Sequence, residues 1–90
     1  MDRANRIEAL LRDKLEARQI EIEDDSARHA GHAGARDGGG HFNVTIVSAR
    51  FEGMNRVERH RAVYEAVDEM IPREIHALSV RAFTPAEAEG

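Results

Sequence analysis

Ninety residues suffice for one domain around one hydrophobic core, and not for two. With no cysteine the chain stands without disulfides and offers neither a thiol nucleophile nor a thiolate ligand, which fits a reducing compartment. A net charge of −4 excludes a globally basic nucleic-acid binder, whose affinity rests on neutralising phosphates, and no apolar run approaches the ~18 residues of a membrane span.

The opening Met1-Asp2-Arg3-Ala4 carries no secretory signal pattern, so a cytoplasmic location is expected. Ile7, Leu10, Leu11 and Leu15 then recur at helical spacing, with Arg3, Asp13, Lys14 and Glu16 on the remaining surface, and predict an amphipathic helix over 3–18. Ile20 and Ile22 alternate with Gln19, Glu21 and Glu23, the pattern of a strand with one wet face, which Asp24-Asp25-Ser26 ends.

Residues 27–40 have no apolar period: five glycines, alanines and two histidines predict a flexible loop of about fourteen residues, a length usually tied to function or disorder. Phe42, Val44 and Ile46 alternate with Asn43 and Thr45 in a second strand over 41–48, and Phe51-Glu52-Gly53 reads as a turn. From Arg56 the helical period returns. Val57, His60, Val63, Tyr64, Val67, Met70 and Ile71 share one side, and Pro72 stops the helix near Ile71. Residues 77–83 predict a third strand with Leu78 and Val80 on one face. Thr84-Pro85-Ala86-Glu87 has the signature of a capped helix start, with room for a single turn over 84–90. The order α-β-β-α-β-α predicts one α/β (α+β) domain over 1–90, a three-stranded sheet with helices on one face.

Little in this chain suggests catalysis. Ser26, Ser48 and Ser79 sit in no nucleophile elbow or triad setting, and Gly38-Gly39-Gly40 lacks the Lys-Ser/Thr of a phosphate-binding loop. Glu23-Asp24-Asp25 could serve as acid or base, but a solvated strand end accounts for them. The five histidines are the anomaly. His29, His32 and His41 lie in or beside the glycine-rich loop, where imidazoles could swing onto a metal; a polar loop that happens to hold histidine is the plainer reading, and a nickel- or zinc-binding loop a third. His60, on the apolar side of its helix, reads as a hydrogen-bonded half-core residue. His76 precedes the third strand, and its position alone says nothing. Arg56, Arg59 and Arg61 form a local basic cluster that either solvates its helix or touches phosphate.

Several stretches in order resemble the BolA family. They are Asp25-Ser26-Ala27-Arg28-His29-Ala30-Gly31, His41-Phe42, Val47-Ser48-Ala49-Arg50-Phe51-Glu52-Gly53, Arg59-His60-Arg61-Ala62-Val63-Tyr64, and His76-Ala77-Leu78 followed by Thr84-Pro85. The resemblance runs from about residue 5 to 87 and implies a class II KH-like fold. It also implies a non-enzymatic role: binding a monothiol glutaredoxin and sharing with it a bridged 2Fe-2S cluster, in cluster delivery or iron sensing. Two ligands would be thiolates of the glutaredoxin and its glutathione. This chain, a monomer when alone, would add His76 and a loop histidine, best matched by His29 with His32 and His41 as alternatives. Some members are described as DNA-binding regulators of shape and stress genes, and Arg56, Arg59 and Arg61 would be the contacts here. The sequence departs from the family twice. Ala88 stands where tryptophan is common, and Gly53-Met54-Asn55-Arg56 breaks the Gly-x-x-Gly of KH domains, so RNA binding in the KH manner is not expected.

Overall fold

Residues 2–25 and 40–89 are described by the computed structural model of the chain. Helix α1 (Arg3–Leu15) starts at Asp2, whose carboxylate accepts the Asn5 N–H at 2.8 Å, and turns Ile7, Leu11 and Leu15 into the core. It ends three residues short of the expected 18. Glu16 takes a left-handed conformation (φ 51°), and the Leu15 carbonyl is taken at 2.6 Å by the hydroxyl of Ser48, a residue distant in sequence.

Strand β1 (Gln19–Asp24) pairs antiparallel with β2 (Gly40–Val47), which in turn pairs parallel with β3 (Ile75–Phe83), giving the sheet order β1-β2-β3. The alternation read in β2 holds: Phe42, Val44 and Ile46 are buried, while His41, Asn43 and Thr45 are only half covered on the other face. The expected flexible loop over 27–40 lies outside the described residues except for Gly40, which already belongs to β2. After β2, a 3-10 turn (Ala49–Phe51) drives Phe51 into the core, and Gly53 supplies the positive φ of 81° that the reversal requires.

Helix α2 (Arg56–Ala66) opens with a capping box in which Asn55 and Glu58 each accept the other's backbone N–H at 2.8 Å. It stops before the expected Ile71. Val67 leaves helical geometry, a 3-10 turn (Asp68–Met70) follows, and Ile71 is held extended ahead of Pro72 (ψ 136°). Its buried side is centred on Val63, Ala66 and Val67, roughly a quarter turn from Val57, His60 and Tyr64. The expectation that Val57 and His60 face the core is therefore corrected: both are exposed.

Helices α1 and α2 cover the same face of the sheet, where Ile7, Leu11, Phe42, Val44, Ile46, Phe51, Val63, Val67, Met70, Ile75 and Leu78 close one core. Side chains of α2 also cap the outer edge of β3: Tyr64 donates its hydroxyl to Leu78 O at 2.7 Å and Arg59 donates to Ala82 O at 3.1 Å. Helix α3 (Pro85–Glu89) is the single turn expected. Its capping box is formed by Thr84 and Glu87, with Thr84 N–H donating to Glu87 Oε1 at 2.9 Å and Glu87 N–H to Thr84 Oγ1 at 3.2 Å.

Candidate functional site

The third strand begins two residues earlier than its sequence pattern suggests, and that extension creates the site. Along the β2–β3 ladder Gly40 faces Ile75, but the next residue, His41, faces Ala77. His76 is thus an extra residue without a partner position on β2, a β-bulge. The bulge breaks the inward–outward alternation, leaving His76 and Ala77 both exposed between buried Ile75 and Leu78. It swings His76 beside His41, the first outward residue of β2, with ring centroids 5.4 Å apart and planes tilted by 46°.

The two imidazoles differ in access. His76 is exposed, whereas His41 is half covered and its Nε2 atom is buried. Bonds of roughly 2 Å to one metal place two imidazole centroids ~5 Å apart, so the observed separation suits a shared ion. The pair is not a complete site, since no cluster of three or more His, Cys, Asp or Glu groups suited to a metal occurs among the described residues. What the described residues present is two imidazoles side by side at one sheet end. His29 and His32 lie outside the described residues; among the described residues His41 and His76 are the candidate ligands brought together.

His60 is on the surface rather than in the half-core, with its ring stacked on Tyr64 at 4.7 Å and 17°. The three arginines also separate. Arg59, its side chain only 15% exposed, donates to Met54 O (3.0 Å), Ala82 O (3.1 Å) and both carboxylate oxygens of Glu87 (2.6 and 3.2 Å). Those bonds make it the strut that fastens α3 to α2 and β3, and they turn its guanidinium away from phosphate contact. Arg56 and Arg61 remain exposed and have no ion pair among the described residues.

The Arg59 hydrogen bonds, reinforced by the Thr84 N–H, hold the Glu87 carboxyl well below its ordinary 4.5, at about 2, and the same contact raises the Arg59 pKa. A carboxylate whose pKa is depressed by folding stabilises the fold fully above its ordinary pKa and loses that contribution as the pH falls through the folded value. The attachment of α3 is therefore expected to loosen between about pH 4.5 and 2. The Thr84 and Glu87 amide shifts in an NMR titration check this, and Glu87→Gln should remove the transition.

The comparisons with known proteins agree with this architecture. Residues 11–87 match the family profile described as BolA-like protein. The chain belongs to the BolA family. It is 48% identical over 90 residues to the chloroplastic protein BOLA1 of Arabidopsis thaliana, across 97% of this chain and 56% of that protein. It is 38% identical over 85 residues to the DNA-binding transcriptional regulator BolA of Escherichia coli, across 94% of this chain and 78% of that protein. The solved BolA domain of SufE1 from Arabidopsis thaliana superposes with a TM-score of 0.83 at 40% identity, over 97% of this chain and 96% of that one. The chain spans 56%, 24% and 62% of the length of three of its curated relatives, two from Arabidopsis and one from mouse, so it corresponds to the BolA portion of those longer proteins. The mouse relative is named a BolA-like protein, the Escherichia coli one a DNA-binding transcriptional regulator, and the longer Arabidopsis one a SufE-like protein of chloroplast and mitochondrion. No helix among the described residues is long and apolar enough to cross a membrane.

Proposed function

We propose that this BolA-family chain is a non-enzymatic binding partner that joins a monothiol glutaredoxin and shares a bridged 2Fe-2S cluster with it, in cluster delivery or iron sensing. One observation carries the reading. A chain without cysteine presents an exposed imidazole, His76, on a bulge beside a second imidazole, His41. Two nitrogen donors cannot hold a 2Fe-2S cluster, which takes four ligands, so the thiolates must come from a partner and its glutathione. His76 is the first ligand on this side, and His29, which follows β1 by five residues, is the second, with His41 and His32 as alternatives. Imidazole in place of thiolate removes negative charge from the iron it binds and raises the reduction potential. Neutral donors make that bond sensitive to protonation, since a histidine must lose its proton to coordinate.

Anaerobic mixing of the chain with a monothiol glutaredoxin, glutathione, ferrous iron and sulfide tests the reading. The expected product is a coloured one-to-one complex whose visible absorption and circular dichroism differ from those of the glutaredoxin alone. A spectrum identical to that of the glutaredoxin homodimer, with this chain eluting separately, would falsify it.

A second reading has its own support. Arg56 and Arg61 are exposed beside each other on α2, and the similar Escherichia coli protein is named a DNA-binding regulator. Binding that rests on a few surface arginines would be weak and would collapse between low salt and ~150 mM. A retardation assay across that range decides it.

A further inference from the structure

The two outer edges of the sheet are finished differently. At the edge of β3, Tyr64 donates its hydroxyl to Leu78 O at 2.7 Å and Arg59 donates to Ala82 O at 3.1 Å, so side chains of α2 take carbonyls that a further strand would need. The edge of β1 has no such cover among the described residues. One bond fixes which groups face outward there. Asp25 N–H donates to His41 O at 2.7 Å, and in an antiparallel pair every second residue bonds to its neighbour strand, so Glu23 and Glu21 also turn their backbone groups toward β2. The N–H and C=O groups of Ile20 and Ile22 therefore point away from the sheet, and no hydrogen bond to them occurs among the described residues.

The side chains of β1 sort by face. Ile20 and Ile22 pack against the core yet stay only half-buried, because β1 is the last strand on that side. Glu21 and Glu23 are exposed on the face opposite α1 and α2. Glu23 accepts from Asn43 Nδ2 at 3.0 Å, and Glu21 has no ion pair among the described residues. Arg12 and Arg18 stand around the start of the strand, so the acidic stretch begins at Glu21.

We propose that the Gln19–Glu23 edge is a docking site for an extended segment of another protein, in which apolar residues alternate with lysine or arginine, added as a fourth strand. The open backbone groups select an extended chain, since only a strand offers donors and acceptors at alternate residues. The alternation then assigns its side chains. Those opposite Ile20 and Ile22 fall on the core side and complete its cover, while those opposite Glu21 and Glu23 fall beside carboxylates. A second copy of this chain is a poor occupant: the antiparallel register that sets Ile20 opposite Ile22 also sets Glu21 opposite Glu21, and like charges across a pair are destabilising. Strand β2 separates this edge from β3, so the docked segment leaves His76 exposed.

Amide hydrogen exchange of the full chain, read by NMR with and without a short peptide in which lysine alternates with valine, tests the proposal. In the free chain the Glu21 and Glu23 amides should exchange slowly and those of Ile20 and Ile22 fast; the peptide should slow the second pair. A peptide with glutamate in place of lysine should not. Glu21→Lys/Glu23→Lys should weaken binding of the basic peptide by about tenfold or more and admit the acidic one. Ile22→Pro removes an outward N–H, keeps the bonds to β2, and should abolish docking. Far-ultraviolet circular dichroism verifies that each variant is folded, and the charge-reversed chain decides alone if the proline variant is not. Ile20 and Ile22 amides that the basic peptide leaves unchanged overturn the proposal. So do amides already slow in the free chain, and slowing that appears only as the chain itself is concentrated assigns the edge to a second copy. Equal binding of the basic peptide by the charge-reversed chain, or peptide-induced changes confined to other elements, overturns it too.

Discussion

Replacing His76 with alanine is expected to remove the histidine-ligated signature of the glutaredoxin complex while leaving the fold and the iron-free affinity intact. The side chain is exposed at a bulge and belongs to no core contact, so its loss costs little stability. For the cluster the change is severe, because one iron loses its most accessible protein ligand on this side. The visible circular dichroism should revert to that of the glutaredoxin alone, and the half-life of the mixed complex should drop by an order of magnitude or more, on the scale of lost ligand contacts. Substituting the other histidines grades the effect. His29→Ala is expected to come next. His41→Ala should be milder, since the Nε2 of His41 is buried and its ring mainly supports His76 from the side. Glutaredoxin complexes of His76→Ala and wild type with the same spectrum would remove His76 from the site. Equal losses for His41→Ala and His76→Ala would make the adjacent pair the ligands and displace His29.

Local signals accounted for the parts of the fold that local chemistry determines. The apolar alternation of Phe42, Val44 and Ile46 is a property of the strand itself, and the pairing merely uses it. The Thr84-Pro85-x-Glu87 start is equally self-contained, because both partners of its capping box lie within four residues. What depended on distant partners was not legible. Helix α1 stops at Leu15 because a serine from beyond β2 takes its carbonyl. Val57 and His60 carry the right period for a buried side, yet only the packing of Val63, Ala66 and Val67 on the sheet decides which part of that arc is covered.

The candidate site divides along the same line. His76 was indicated by the resemblance of His76-Ala77-Leu78, not by its spacing. Its meeting with His41, thirty-five positions earlier by their numbers, is a property of strand register. No single-sequence pattern announces a bulge between parallel strands, since the extra residue exists only relative to its partner. Ile75 offered the one available hint, an apolar residue directly before His76 that could have extended the strand. The arginine cluster was visible as composition, but composition could not show that Arg59 is engaged by Glu87 while Arg56 and Arg61 have no ion pair among the described residues.

Ser48→Ala is expected to be the most destabilising of the small substitutions open to this chain, although the sequence suggests nothing more than a scarce serine. Ser48 is fully buried and joins three elements. Its hydroxyl donates to Leu15 O at the end of α1 (2.6 Å) and accepts from Arg50 N–H in the 3-10 turn (3.1 Å), and its own N–H donates to Phe83 O at the end of β3 (3.0 Å). Alanine keeps the backbone bond and removes the other two, leaving a carbonyl and an amide without the partner that folding had provided. Unsatisfied groups of this kind cost about 1–3 kcal/mol, whereas the lost hydroxyl volume is too small to matter. Against the 5–15 kcal/mol typical of a domain this is a substantial fraction, and at 4–8 °C per kcal/mol the melting temperature should fall by roughly 5–20 °C. Ser79→Ala, on the exposed face of β3, is the matched control and should change stability by no more than ~0.5 kcal/mol. Because Ser48 lies at the opposite end of the sheet from the His41–His76 pair, the variant should still form the mixed complex at low temperature. Equal melting temperatures for the two serine variants would mean that the end of α1 is held by packing of Leu11 and Leu15 and not by this bond.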